Sequence, residues 1–183
     1  MNFFITGLPR SRTAWLANLF TFKNSFCFHE LSRVGSDPAE IYRKLQTRRE
    51  DHVGSADQLL PYYIDYMTER VENYKIVVIK RPKIQCKLAL ANWMGYADYE
   101  IESKIDALDK RIDKMQAIYE TKTIPYEALD DPYVIEDLWY HCLPSVPFDE
   151  DRFNMLNEFN IQLMKEKYLH KLNGKEVRKL MEA

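Results

Sequence analysis

The sequence predicts an α/β fold with a mostly parallel β-sheet flanked by helices. Short apolar segments alternate along the chain with segments in which apolar residues recur every three or four positions, as on one face of a helix. Residues 75–79 include four β-branched residues in a row, which is typical of a strand covered on both faces. These patterns indicate parallel strands joined by helical crossovers.

Three strands and three helices are predicted in the N-terminal half. The strands are residues 2–6, 25–30 and 52–55. The first helix is predicted at residues 13–22, where apolar side chains share one face. Asp37 and Pro38 supply the cap and the first-turn proline of the second helix, and Pro61 begins the third.

The C-terminal half is predicted to be richer in helix. Its strands are residues 75–79 and an edge strand at 123–126, where Pro125 is tolerated. The helices are predicted at residues 84–93 and 101–119, around 135–142, and from Phe153 through Leu163, before a turn at Asn173-Gly174. We expect a single domain over residues 1–183, with a helical part from about residue 131.

Composition and charge exclude several classes of protein. An apolar fraction of 46% and a charged fraction of 30% exclude a disordered or fibrous chain. Because 26 Lys and Arg residues nearly balance 28 Asp and Glu residues, no overall basic field attracts nucleic acid or an anionic membrane. We therefore expect neither as a partner, and any anion site must be local.

The cysteines and the apolar runs predict a cytoplasmic protein without metal. Cys27, Cys86 and Cys142 are far apart, which argues against a disulfide framework or a zinc cluster and predicts three small buried side chains. The four histidines show no metal-ligand spacing. No apolar run approaches the roughly 20 residues of a membrane span, and the N-terminal run stops at Gly7, too early for a signal peptide.

The segment that joins the first strand to the first helix, residues 7–13, predicts a phosphate or sulfate site. A turn at this place directs backbone N–H groups and the positive end of the helix dipole toward one point. Ser11 and Thr13 add hydroxyl groups, and Arg10 and Arg12 add positive charge. We call residues 7–13 the phosphate loop.

The phosphate loop is not a standard Walker A motif, because Arg12 and Thr13 occupy the positions of its second glycine and its lysine. It resembles the loop of sulfotransferases, whose pattern is approximately Pro-Arg/Lys-Ser-Gly-Thr-Thr followed by an aromatic or apolar residue. The resemblance implies a three-layer P-loop NTPase-like fold with four or five parallel strands. Strand one is then expected between the third and fourth strands, with the second strand at an edge.

The same resemblance implies a function. It implies transfer of a sulfuryl group from 3′-phosphoadenosine 5′-phosphosulfate (PAPS) to a hydroxyl or amine of a small molecule or peptide, leaving 3′-phosphoadenosine 5′-phosphate (PAP). The residues at matching positions are then expected to bind PAPS: Gly7, Pro9, Arg10, Ser11, Arg12, Thr13 and Ala14. Arg10 is the one implied to neutralise the bridging oxygen as sulfate leaves.

Three further segments resemble the family in the same order. Residues 26–30 look like the second-strand segment of tyrosylprotein-type sulfotransferases, which makes Glu30 the implied catalytic base. Residues 76–82 are similar to the strand that ends in an arginine for the 3′-phosphate, which implies that role for Arg81. Residues 125–132 look like the Tyr-Glu-Asp-Leu segment, whose role is largely structural.

Sulfuryl transfer suits these residues on chemical grounds. The reaction passes through a loose transition state, so catalysis consists of positioning and charge stabilisation. The leaving oxygen needs a cation, which Arg10 provides. The acceptor needs a base, for which the resemblance favours Glu30 and an ordinary pKa near neutrality favours His29. No metal is required.

Departures from the family pattern keep two other hypotheses open. Arg12 replaces a glycine, Ala89 replaces a serine, and Ala56 is the nearest match to a lysine. The absent serine and lysine favour a degenerate, non-catalytic module that binds a nucleotide or a partner. The other alternative is a P-loop kinase of nucleosides or small molecules, with Asp57 as its magnesium ligand or base.

Overall fold

The computed structural model describes residues 1–94 and 99–158, and only the backbone is described for residues 91–94 and 99–101. Within these residues the protein is an α/β structure with one five-stranded, all-parallel sheet. The fold class predicted from the sequence is therefore confirmed. The predicted helix beyond residue 158 and the turn at Asn173-Gly174 lie outside the described residues.

The sheet has the strand order β2-β3-β1-β4-β5, so β1 is central and β2 is at an edge, as expected. The strands are β1 Asn2–Gly7, β2 Ser25–His29, β3 His52–Ala56, β4 Tyr74–Lys80 and β5 Lys122–Pro125. In β1, Ile5 is opposite Ala56 of β3, and Gly7 is opposite Ile79 of β4. Because all strands are parallel, their carboxyl ends lie at the same end of the sheet, together with the loops that follow them.

The helices form two layers that follow from the topology. The chain moves from β1 toward β2 but returns in the opposite direction to β3, β4 and β5. Right-handed crossovers then place α1 on one face and the helices from α2 to α5 on the other. The helices are α1 Thr13–Phe20, α2 Pro38–Leu45, α3 Ile64–Thr68, α4 Lys83–Met94, α5 Tyr99–Ile118, α6 Pro132–Cys142 and α7 Glu150–Glu158.

Each face of the sheet has its own hydrophobic core. Phe3 and Ile5 of β1 pack with side chains of α1, α6 and α7, including Trp15, Trp139 and Phe153. The alternate residue Phe4 packs on the other face with side chains of α2, α3 and α5. Residues 76–79 of β4 are nearly inaccessible, as their β-branched run predicts.

The predicted helix at Pro61 is shorter than its apolar spacing indicates. A 3₁₀ turn covers Leu60–Tyr62, and α3 begins only at Ile64. Tyr63 breaks the helical path with φ −134°, and its hydroxyl donates a hydrogen bond to the Asp57 carboxylate. The tertiary hydrogen bond thus overrides the local helical pattern.

Two further expectations concern the cysteines and membrane spans. Cys27, Cys86 and Cys142 are buried free thiols, as predicted. Among the described residues, no helix combines the length and apolar character that crossing a bilayer requires.

Candidate functional site

The phosphate loop is tightly folded over the ends of two strands. A Cβ at Gly7 would lie 2.8 Å from the Ile79 carbonyl oxygen and 3.1 Å from the Ser11 Cβ. Only glycine fits this close approach. Arg10 and Arg12 both adopt the left-handed region, with φ 68° and φ 59°. A non-glycine residue reaches this region at a cost of about 1–2 kcal/mol, so the surrounding contacts must hold the loop in this shape.

The loop ends at the N-terminus of α1, where backbone N–H groups lack partners within the helix. Arg12 is the residue that caps α1, and no side chain of the described residues accepts from these N–H groups as a cap. Pro9, Thr13 and Ala14 are half-buried around them. The phosphate loop and the N-terminus of α1 thus lie together at the carboxyl end of β1.

Ser11 lies beneath the loop with no exposed surface. Its hydroxyl lies beside the Cys86 thiol, a weak partner, and forms no regular hydrogen bond with any of the described residues. The hydroxyl of Thr6, near the end of β1, likewise forms no hydrogen bond with any of the described residues. Two buried hydroxyls, one in β1 and one in the loop, thus lack the strong partners that buried hydroxyls usually have.

Arg81 leans over the phosphate loop from the end of β4. Its Nη1 donates a hydrogen bond to the carbonyl oxygen of Arg10, and its Nε donates to the Gln85 Oε1 at 3.4 Å. Its guanidinium stacks on the ring of Tyr126, 4.0 Å from the ring centroid. These three contacts fix the guanidinium plane against the loop.

The structure therefore brings together the two arginines that the sequence places 71 positions apart. Burial lowers the pKa of the half-buried Arg10 guanidinium, and the nearby charge of Arg81 lowers this pKa further. No carboxylate of the described residues forms an ion pair with Arg81. Positive charge is thus concentrated at the loop, which favours an anion there.

Residues Tyr126–Asp130, which follow β5, contact both Arg81 and Arg12 of the loop, which the sequence alone did not indicate. Tyr126 stacks on Arg81, and the Glu127 carboxylate accepts a hydrogen bond from Gln85 at 3.2 Å. Asp130 accepts a hydrogen bond from Arg12 at 2.5 Å. The resemblance marks this segment as structural, and the contacts show that it positions charged side chains at the site.

The Arg12 side chain is used in contacts with the protein itself. Its second terminal nitrogen donates to the Asn157 Oδ1 at 2.8 Å, and its guanidinium lies 4.1 Å from the centre of the Trp15 ring. Arg12 thus ties the loop to α7 and to Asp130. The Arg12 side chain, which the sequence predicts to bind the anion, is therefore already paired with protein groups.

Glu30 and His29 lie at the carboxyl end of edge strand β2, and β3 separates this strand from β1. The Glu30 carboxylate pairs with Arg33 and lies 3.7 Å from the His29 Nε2. Burial lowers the pKa of His29, although Glu30 opposes this effect. His29 ends β2 and Glu30 follows it, so both candidate bases lie at the same end of the sheet as the loop. Two strand spacings, or about 10 Å, separate β2 from β1.

Asp57, the residue that a kinase would use, has a structural environment. It is fully buried. Its carboxylate accepts hydrogen bonds from the Ser32 N–H at 2.6 Å, the Leu59 N–H at 2.8 Å and the Tyr63 hydroxyl at 3.0 Å. These bonds join the loops that follow β2 and β3. Nowhere in the described residues do three His, Cys, Asp or Glu side chains form a group that could hold a metal ion.

A scan against models of known protein families and a search of curated proteins both found no match to this chain.

Proposed function

We propose that this protein binds a nucleotide through its phosphate loop and transfers a sulfuryl group from PAPS to a hydroxyl or amine acceptor. The observation that carries the proposal is the convergence of Arg10 and Arg81 at the strained loop between β1 and α1. The start of α1, which has no side-chain cap among the described residues, and the positive charges of Arg10 and Arg81 at the loop favour a phosphate or sulfate group.

The residues present suit sulfuryl transfer in the following way. PAPS supplies the activated sulfuryl group. Arg10 stabilises the negative charge that develops on the leaving phosphate oxygen as its bond to sulfur breaks. Glu30, with His29 beside it, accepts the proton of the acceptor group as the new bond to sulfur forms. The products are the sulfated acceptor and PAP.

A second candidate function is binding without catalysis. Ala56 ends β3 fully buried and Ala89 lies on α4, so neither position offers the polar group that the resemblance leads one to expect. The kinase alternative receives less support, because the three protein hydrogen bonds to Asp57 occupy both carboxylate oxygens.

Calorimetric binding of PAP at fixed ionic strength tests the anion site. We expect Arg10→Ala to weaken PAP binding by about 10- to 150-fold, since a hydrogen bond to a charged group contributes roughly 1.5–3 kcal/mol. Arg43→Ala is the matched control, because Arg43 is 72% exposed on α2 and pairs only loosely with Glu40. Equal PAP affinity of Arg10→Ala and the parent would contradict the proposal.

An assay of sulfate transfer separates the two candidate functions. Labelled PAPS is incubated with a panel of phenol, alcohol and amine acceptors in the presence of EDTA. Transfer without a divalent cation supports the sulfotransferase and not a magnesium-dependent kinase. Tight PAP binding without consumption of PAPS supports the non-catalytic module.

A further inference from the structure

Arg81 has a position that its place in the sequence does not reveal. As the residue one beyond the end of β4, it could extend outward toward a distant part of a ligand. Instead, its Nη1 turns back to the carbonyl oxygen of Arg10 in the centre of the phosphate loop. The same guanidinium stacks on the Tyr126 ring, and its Nε donates a hydrogen bond to the Gln85 side chain.

These contacts leave Arg81 with donors to spare. A guanidinium carries five N–H groups, and the contacts with Arg10 and Gln85 use two of them, so three are left. The planar fork of N–H groups matches two oxygens of one phosphate or sulfate group. Because its plane lies on Tyr126, this fork is already oriented and loses little freedom on binding.

We propose that Arg10 and Arg81 bind the same anionic group, the one held by the phosphate loop, and that Arg81 does not bind a separate 3′-phosphate. This inference rests on the proposed function and specifies how the nucleotide is recognised. The nucleotide of the proposed function, PAPS or PAP, is then recognised mainly through its 5′-phosphosulfate or 5′-phosphate, whether or not it carries a 3′-phosphate.

The electrostatics of the two arginines agree with this assignment. Two nearby positive charges repel each other, and the Arg81 charge adds to the effect of burial in lowering the pKa of Arg10. One anion between them removes that repulsion, whereas an anion at a distance from Arg10 does not. The Gln85–Glu127 hydrogen bond holds the supporting side chains in place without bringing the carboxylate into an ion pair with Arg81.

Calorimetric titrations with 5′-AMP and with PAP, which differ only in the 3′-phosphate, test the inference. The parent, Arg81→Gln and Arg10→Ala are titrated with both nucleotides at fixed ionic strength. If both arginines bind the 5′ group, Arg81→Gln weakens 5′-AMP by about tenfold or more and weakens PAP by the same factor. Arg10→Ala acts on both nucleotides in the same way.

The opposite pattern overturns the inference. If Arg81 binds a 3′-phosphate, Arg81→Gln leaves 5′-AMP binding unchanged and abolishes any preference for PAP. That result would leave the proposed function intact, whereas failure of the parent to bind either nucleotide would overturn both proposals. The two failures are therefore distinguishable.

Two further variants guard against a loss of fold. Arg81→Lys keeps the charge but not the planar fork, and we expect it to recover part of the affinity for both nucleotides equally. Tyr126→Leu leaves the guanidinium but removes the ring beneath it, and we expect a smaller, again equal, loss for both nucleotides. Unequal losses in either variant would contradict the inference.

Discussion

The Nε of Arg152, on α7, donates a hydrogen bond to the carbonyl oxygen of Leu19 in the last turn of α1, at a distance of 3.1 Å. Its Nη2 donates to the carbonyl oxygens of Asn18 and of Thr21, the latter at 2.7 Å. A buried cation thus satisfies carbonyl groups at the negative end of α1, the helix that begins at the phosphate loop. α7 contacts both ends of this helix, since Asn157 binds Arg12.

We expect Arg152→Met to reduce the free energy of unfolding by roughly 2–4 kcal/mol, because several carbonyl oxygens lose a charged donor in a buried place. Urea denaturation measures the change. Arg43→Met, on the exposed face of α2, is the control and should change stability by less than about 0.5 kcal/mol. A similar small effect at both positions would show that Arg152 does not support α1.

Gly7→Ala is expected to destabilise the protein by about 1–3 kcal/mol, because the new Cβ meets the Ile79 backbone oxygen at 2.8 Å. Gly35→Ala offers a matched control. There the Cβ meets only the end of the flexible Glu40 side chain, and the backbone of Gly35 is extended. Thermal unfolding of both variants should show a large shift for Gly7→Ala alone, and equal shifts would be inconsistent with the close packing of the loop.

At Arg12 we expect glycine to be better tolerated than alanine. Both substitutions remove the contacts with Asp130, Asn157 and Trp15, but only alanine keeps the cost of φ 59°. Arg12→Gly should therefore be more stable than Arg12→Ala by about 1 kcal/mol, as measured by urea denaturation. The reverse order would show that the loop leaves the left-handed region when the contacts are lost.

The strands could be predicted well because they depend on local apolar patterns. The order of the strands in the sheet could be predicted because the sulfotransferase resemblance implies it. The β-branched run in β4, the cap at Asp37 and the edge strand with Pro125 all appear where expected. The Asp37 carboxylate accepts a hydrogen bond from the Ala39 N–H at 2.9 Å, as a helix cap should.

The partners of the arginines could not be predicted in the same way. Arg12 contacts Asp130 and Asn157, which are 118 and 145 positions away, and no periodicity links such pairs. The direction of Arg81 depends on the Tyr126 ring, whose position is set by the pairing of β4 with β5. Side-chain direction at the site is therefore a tertiary property, whereas the presence of positive charge there is a property of the sequence.

Stability should fall as the pH decreases from 7.5 to 5.5. Burial lowers the pKa of His29, His52 and His141 below the ordinary value near 6.5. In this window the histidines bind more protons in the unfolded chain than in the folded one, so the free energy of unfolding rises with pH. The stability that the neutral histidines contribute is lost as the pH falls through their pKa in the unfolded chain. Urea denaturation across the range should show this slope. A triple histidine-to-glutamine variant should show a flatter one, and an unchanged slope would assign the effect to other groups.

Glu30 and the phosphate loop are expected to have separate roles. Glu30 follows β2, two strands away from β1, and its carboxylate is paired with Arg33. We expect Glu30→Gln to bind PAP within about twofold of the parent and to lower the rate of sulfate transfer by about 10²–10⁴-fold, the usual effect of removing a general base. Arg10→Ala should lower both PAP affinity and rate.

Glu40→Gln is the matched control for Glu30→Gln, because Glu40 also faces an arginine three positions along the chain but lies exposed on α2. It should change neither PAP affinity nor rate. His29→Gln distinguishes the two candidate bases, since His29 lies 3.7 Å from Glu30 at the same strand end. If Glu30→Gln transfers sulfate at the parent rate while His29→Gln does not, the histidine is the base. In that case its lowered pKa predicts a rate that stays high to a lower pH than an ordinary histidine would allow.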